Sequence, residues 1–385
     1  MITLSRPSIR RRDMDAVLTC MVSDSLGPGS LSDQLTNAVG EYLGLAGGIA
    51  LRERARAFSL ALDRLALEPG SSIVLDPLVP HAYHAVIVDR GMQPVYVDVL
   101  DSSLCLDPDQ VAEAVTSRTE GPNPVGAIVT HTTLGFVPEM ETLSGLGVPV
   151  IEDISHGIGA NTGEQRVGRF GRFVLVAMEP DGVITAGGGT LLLTASKSDR
   201  SALRKAAGVL SSEAMLPDMN AALGLTQIKE IEKFVSRRAE IAAVYSRAIM
   251  RGRHRSPVQP GEAENVYLTF PVLVEGSVQD VTAYARKKGV ETAPAFEESV
   301  LARYGRRERV AVGALGEAVG AAAGAIDGVA AESRTEEDVD TLRTILESDY
   351  PVARSLLLRC LRFPLYPSLT AKEVATIERV LTTLP

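Results

Sequence analysis

Phe173-Val-Leu-Val-Ala-Met-Glu-Pro-Asp-Gly-Val-Ile-Thr-Ala-Gly-Gly-Gly-Thr-Leu-Leu-Leu-Thr194 reads as an apolar strand, a polar turn, a glycine run and a second apolar strand. The turn passes through Glu179-Pro180-Asp181-Gly182, and the glycines are 187–189. Just upstream, Val148-Pro-Val-Ile-Glu-Asp-Ile-Ser-His-Gly157 is another apolar strand, closing on an acidic pair and a histidine. Charged groups at the carboxyl end of a strand stand where open α/β sheets bind ligands.

Working outward, short apolar runs alternate with amphipathic stretches. Strands are predicted at 72–75, 94–98, 126–130, 148–152, 173–178 and 190–194. Helices are predicted at 31–43, 49–68 after a brief apolar step, 79–90, 108–115 and 140–146. Met14, Val17, Leu18 and Met21 also recur at helical spacing, as do residues 58, 61, 62 and 65. This alternation predicts a mostly parallel sheet covered on both faces. After Ser198 the pattern changes to a helix at 199–210, a long helical stretch over 217–250, a strand at 266–274, a helix at 278–288, an extended piece at 290–294 and a final helix at 371–384. Two domains are expected, 1–240 as a large α/β domain and 241–385 as a smaller α+β domain. Residues 305–350, rich in Ala, Gly and charge, give no clear pattern.

Composition narrows the function classes. The net charge of −9 and pI near 5.3 argue against nucleic acid or an anionic membrane as the main partner. Cys20, Cys105 and Cys360 are scattered, without metal-ligand or CxxC spacing, which suits a reduced intracellular protein. The N-terminus lacks the basic-then-apolar pattern of a signal peptide, and the Ala/Gly-rich 311–331 segment is too weakly apolar to span a membrane. A cytoplasmic protein is expected.

Four segments together resemble the DegT/DnrJ/EryC1/StrS sugar aminotransferases. These are Pro69 to Asp98, Val150 to Gly171, Met219 to Tyr245 (with Ala221-Ala-Leu-Gly-Leu-Thr-Gln227 and Arg237-Arg238) and Phe363-Pro-Leu-Tyr-Pro-Ser-Leu-Thr370. The resemblance implies the α/β fold-type-I aminotransferase architecture: a large domain with a mostly parallel seven-stranded sheet, a smaller α+β C-terminal domain and a homodimer. It also implies pyridoxal 5′-phosphate (PLP). In that family a carboxylate keeps the pyridine nitrogen protonated, making the ring an electron sink, and Asp153 matches it. His156 matches a position where the family commonly has His or Gln.

Other positions depart from the family pattern. Gly182 falls where the Schiff-base lysine should be, and glycine carries no nucleophile. Ala177 falls at a phosphate-holding serine, and Glu53-Arg54-Ala55 at the phosphate loop. Pro80 falls at the ring-stacking aromatic, with His81, Tyr83 and His84 nearby, and Gly188 at a glutamate. No lysine precedes Lys197. These departures predict that PLP binding is lost and no cofactor is held.

Candidate residues then follow from chemistry. Asp153 with His156, and His84, are candidate acid/base groups; the alternative is that they are inherited and satisfied by hydrogen bonds. Arg52 and Arg54 are candidate anion contacts; Arg52 and Arg56 would share a helix face and Arg54 would point elsewhere. Tyr83, His131, Glu179 and Asp181 are candidate ligand contacts, the last two equally readable as turn residues. His81 and His84 lack a carboxylate or Cys partner at ligand spacing, so no metal is expected. The glycine run reads as a tight inter-strand loop, lacking GxGxxG spacing.

The expectation is therefore a PLP-independent, non-aminotransferase member of this family. It would act by acid/base chemistry on a small polar or anionic metabolite in sugar or natural-product biosynthesis. The alternatives are a catalytically silent subunit paired with an active pathway enzyme, and a PLP enzyme without the lysine.

Overall fold

The computed structural model describes residues 1–23, 26–119, 122–305 and 350–385. The reading of 311–331 as too weakly apolar for a membrane span lies outside the described residues, with most of 305–350.

The chain begins with α1 (Arg11–Val22) and α2 (Ser30–Leu43), the latter closed by Gly44 at φ 68°. Then follow β1 (Gly47–Leu51), α3 (Arg54–Leu65), β2 (Ser72–Leu75), α4 (His81–Asp89) and β3 (Gln93–Tyr96). Next come α5 (Pro108–Ser117), β4 (Val125–His131), α6 (Met140–Gly145) and β5 (Val150–Asp153). A small hairpin, β6 (Asn161–Thr162) with β7 (Gln165–Arg166), precedes β8 (Phe173–Ala177) and β9 (Thr190–Thr194).

These strands form a seven-stranded sheet in the order β1-β9-β8-β5-β4-β2-β3. The β8–β5, β5–β4, β4–β2 and β2–β3 pairs are parallel, and β9 runs antiparallel to both of its neighbours. Every residue of β1, β8 and β9 is buried, as expected of strands covered on both faces. Side chains alternate along β8. Phe173 and Leu175 enter the core with Phe58, Leu62 and Tyr83, whereas Val174 and Val176 enter a second core with Leu35, Val39 and Phe234. This alternation sends the neighbouring carboxylates of β5, Glu152 and Asp153, to opposite sides.

Helices α7 (Lys197–Ala207), α8 (Asp218–Ile228) and α9 (Ile231–Ile249) follow. The single long helical stretch expected over 217–250 is thus two helices, because Glu230 leaves the helical region at φ −108°, ψ 2°. Its side chain gathers Arg10, Arg12 and Lys233. The 161–166 hairpin escaped the sequence pattern because each strand is only two residues long.

β10 (Phe270–Leu273), α10 (Val278–Lys287), β11 (Ala293–Pro294), α11 (Val300–Gly305), α12 (Pro351–Arg359), β12 (Cys360–Phe363) and α13 (Ala371–Thr382) complete the described chain. An antiparallel sheet β10-β12-β11 packs with α10, α13 and the second half of α9 through Ile241, Tyr245, Phe270, Phe363 and Ile377. Arg238 ties α9 to this unit: its buried guanidinium donates to the carbonyls of Tyr267, Leu268 and Leu365 at 2.9–3.0 Å. Thr370 and Glu373 cap α13 reciprocally.

Glu152 anchors the far side of the β5 end. Its carboxylate accepts from the amides of Gly168 (2.9 Å), Phe170 (2.8 Å) and Gly171. Glu152→Gln replaces an acceptor facing those N–H groups with an amide that donates. We expect a loss of about 2–3 kcal/mol in urea unfolding; a loss below about 0.5 kcal/mol would show that the loop does not depend on this carboxylate.

Candidate active site

The parallel strands of the large sheet deliver polar residues to their shared carboxyl edge, where such sheets bind ligands. β5 ends on Asp153, and its register partner across β4 is His131. The turn after β5 carries Ser155 and His156, and the turn after β8 carries Glu179 and Asp181. Arg54 is the first residue of α3, directly after β1, and Tyr83 lies in the first turn of α4, after β2.

Asp153 is fully buried. Its Oδ1 accepts from the Ser155 amide at 2.9 Å and from the Ser155 hydroxyl. Its Oδ2 accepts from the Tyr83 hydroxyl at 2.5 Å and lies 4.0 Å from an Arg54 guanidinium nitrogen. Burial pushes the carboxyl upward, but Arg54, His131 and the two hydroxyl donors outweigh it and hold its pKa at about 2. Burial and the Asp153 charge push the Tyr83 phenol well above its ordinary range, so it stays a donor. Burial lowers the Arg54 pKa, but the Asp153 charge opposes this and the net shift is upward.

His131 and His156 meet edge to face with ring centroids 4.6 Å apart. Burial lowers His131 to about 4, against the raising influence of Asp153. Burial also pushes His156 well below its ordinary range, with help from the His131, Arg54 and Arg362 charges. Both are therefore neutral at pH 7, which leaves Arg54, Ser155 and Tyr83 to hold the Asp153 charge. His131 Nδ1 meets the Thr133 hydroxyl at 3.3 Å, while His131 Nε2 and His156 Nδ1 are buried with no hydrogen-bond partner. A cavity of about 80 Å³ lies against both imidazoles, bounded also by Leu78, Pro80 and Phe296.

The other candidates fall elsewhere. Tyr83 and His84 are adjacent on α4 but diverge: His84 Nδ1 pairs with the Tyr96 hydroxyl at 2.7 Å, toward β3. Arg52 is exposed, and its amide donates to the Ala214 carbonyl at 3.0 Å. Arg54, a candidate expected to lie off the Arg52–Arg56 helix face, is the arginine that reaches Asp153. Asp181 is half exposed, 3.9 Å from Arg362 on β12, and the Glu179 charge acts on Arg54. Ala177 is a buried strand residue whose amide donates to Ser155 Oγ at 2.8 Å.

Gly182 sits in a tight turn, its amide bonded to the Glu179 carbonyl at 3.0 Å. A Cβ added there would come within 2.7 Å of the Ile184 carbonyl oxygen. The glycine run is the tight loop that its composition suggested. Residues 187, 188 and 189 have φ values of 72°, 121° and 98°, a region that side chains disfavour.

Sequence reasoning missed Ser155 and Arg362. Ser155 was legible in principle, since a hydroxyl two residues after an aspartate commonly bonds it. Arg362 had no signal, because only the tertiary fold brings β12 beside the β8 turn.

Residues 7–342 match the DegT/DnrJ/EryC1/StrS aminotransferase family. The chain belongs to that family. It is similar to the aminotransferase TlmJ from Streptoalloteichus hindustanus, at 21% identity over 99% of this chain and 98% of that one, with a TM-score of 0.77. It is similar to the sugar aminotransferase CalS13 from Micromonospora echinospora, at 16% identity over 99% of both chains, with a TM-score of 0.78. It is also similar to Spr1654 from Streptococcus pneumoniae in its PLP form, at 16% identity over 99% of this chain and 97% of that one, with a TM-score of 0.79. These likenesses establish the fold-type-I aminotransferase architecture, with its mixed, mostly parallel seven-stranded sheet. Among the described residues no helix is long and apolar enough to cross a membrane.

Two expectations are corrected by these findings. The chain was expected to be PLP-independent, outside aminotransferase chemistry or silent, and to hold no cofactor. Its family is one of aminotransferases, and the structure of Spr1654 on this same fold is in its PLP form, so the expected departure from the family's chemistry and the expected loss of PLP do not stand. Asp153, at the position the resemblance gives to the ring-nitrogen carboxylate, is buried and ionised.

The buried imidazoles predict a pH dependence. In the unfolded chain His131 protonates near 6.5, and in the fold only near 4. Between those values the unfolded chain holds more protons, so stability falls as pH is lowered from 6.5 toward 4. Asp153 adds a loss only below its ordinary 3.8, as pH falls toward 2. His131→Gln should flatten the decline in urea-unfolding free energy between pH 6.5 and 4 by up to about 3 kcal/mol. A slope equal to wild type would mean that His131 titrates normally in the fold.

Proposed function

We propose that this protein is a sugar aminotransferase-type enzyme that takes PLP, or its amine form PMP, without a covalent tether at residue 182. The observation that carries this reading is the fully buried, ionised Asp153 at the carboxyl end of β5. A carboxylate kept charged in that position suits a protonated ring nitrogen. His131 Nε2 and His156 Nδ1 beside it have no hydrogen-bond partner among the described residues, and buried polar atoms require one. Gly182 has no amine and no room for a side chain, so what the pocket holds is held by hydrogen bonds, charge and packing.

When bound, PLP supplies an electron sink for chemistry at a substrate carbon. The chain's own residues have simpler tasks. Asp153 keeps a proton at the ring nitrogen, and Arg54 and Ser155 keep Asp153 charged. His131 and His156, neutral near pH 7, can each accept or donate one hydrogen bond to the hydroxyls of a small sugar substrate. Glu179 and Asp181 add negative charge in the neighbourhood of Arg54.

Absorption titration of the purified protein with PLP and with PMP tests this directly. Saturable binding of at least one form is expected, weakened at least about tenfold in Asp153→Ala; absence of saturable binding to either form would sink the proposal. The α1 face supports a homodimer: Met14, Leu18 and Met21 are each about half exposed, and Val22 is 83% exposed. Light scattering should return twice the 40.9 kDa chain mass, and a single-chain mass would refute the dimer.

A further inference from the structure

We propose that a small cavity between α9, β12 and the turn after β8 binds one monovalent anion of about chloride's size. The site lies apart from Asp153 and its imidazole neighbours, and it does not depend on the cofactor reading above. Neither the family match nor the fold assigns it.

The cavity measures about 20 Å³, room for roughly one water-sized group. Arg238 from α9, Arg362 from β12 and Arg6 from the N-terminal segment line it, against the single carboxylate of Asp181 among the described residues. Arg6 is exposed and its charge also acts on Glu373 of α13, so Arg238 and Arg362 carry the site. Arg238 is 3% exposed, and burial brings its pKa down to about 10, still charged near neutral pH, with the Asp181 charge opposing the shift. Set against Asp181, the two guanidiniums leave one positive charge, the balance a monovalent anion supplies. Asp181 is itself half exposed, and its Oδ2 lies 3.9 Å from Arg362 Nη1, beyond hydrogen-bond reach.

The hydrogen-bond inventory points the same way. The Nε atoms of Arg238 and Arg362 are both buried with no partner among the described residues, and arginine can only donate. The acceptors around the cavity are already engaged. The Leu268 and Leu365 carbonyls accept from Arg238 Nη1 at 2.9 Å, and the Thr269 hydroxyl donates to the Phe363 carbonyl at 2.8 Å. The lining therefore lacks an acceptor that carries negative charge. A halide meets both needs in the space present, whereas a tetrahedral oxyanion is larger than the cavity. Held there, the anion would tie α9 and β12 to the turn that carries Asp181 and Gly182. Arg362 also acts on His156, so this tie stands at the rim of the candidate active site.

Urea unfolding of the full chain in sodium chloride, formate and gluconate at one ionic strength tests the site, gluconate being too large to enter. Chloride should raise the midpoint saturably above gluconate, as expected for a ligand of the folded state. Arg362→Gln removes the charge and should weaken the apparent chloride affinity at least about tenfold. Equal midpoints in chloride and gluconate overturn the inference, as does an Arg362→Gln protein that keeps the wild-type chloride gain. Formate matching chloride supports the site and shows that a carboxylate oxygen also enters it. Formate matching gluconate supports a site for halide alone. Wild-type crystals grown in bromide decide the matter even if the variant folds poorly. An anomalous peak between Arg238 and Arg362 is expected, and bromide found only elsewhere, or nowhere, overturns the proposal.

Discussion

A carboxylate removed from water must be compensated or it takes up a proton, and the pocket is built around that constraint. Asp153 has no exposed surface, yet it remains ionised because Arg54, Ser155 and Tyr83, from three different segments, converge on it. Ser155 comes from the turn after β5, Tyr83 from α4 and Arg54 from the first turn of α3, while His131 stands beside it in register on β4. Removing any one of them leaves the same buried charge with fewer partners. Breaking a buried pair commonly costs several kcal/mol for that reason.

The same charge shapes its neighbours. It keeps Arg54 protonated and keeps the Tyr83 phenol neutral. It does not protonate the two imidazoles, because their burial and the Arg54 charge work against it. The result is a pocket with one fixed cation, one fixed anion and two neutral groups that can donate or accept. On the opposite side of β5, Glu152 faces a similar burial but meets only backbone amides. There burial dominates and its pKa is raised. One strand thus places a charged site group and a structural clamp on consecutive residues.

The architecture was legible in the sequence to the level of individual elements. Apolar runs such as Leu191-Leu192-Leu193 and Val174-Leu175-Val176 could only be doubly covered strands, and Gly44 and Thr370 marked helix ends by their chemistry. What misled was continuity: the helical periodicity over 217–250 ran through Glu230, where the backbone leaves the helical region and the side chain pairs with Arg10, Arg12 and Lys233. The candidate site was legible in part. Asp153, Tyr83, His131, His156 and Arg54, all candidates from the sequence, lie together in the structure, since each stands at or after a strand whose end shares one sheet edge. His84 and Arg52 were named with them and point elsewhere, because adjacent residues on a helix or a loop diverge by about a quarter turn or more.

By itself the sequence determined the strand order of events along the chain, the family, and the absence of an amine at residue 182. These are local properties, carried by periodicity, motif and side-chain identity. Only the tertiary structure decided which polar residues meet. Tyr83 and Asp153 are seventy positions apart, and Arg362 reaches the β8 turn from the opposite end of the chain. Whether a carboxylate is charged, or an imidazole neutral, depends on the balance between burial and such distant partners. That balance has no counterpart in a linear pattern.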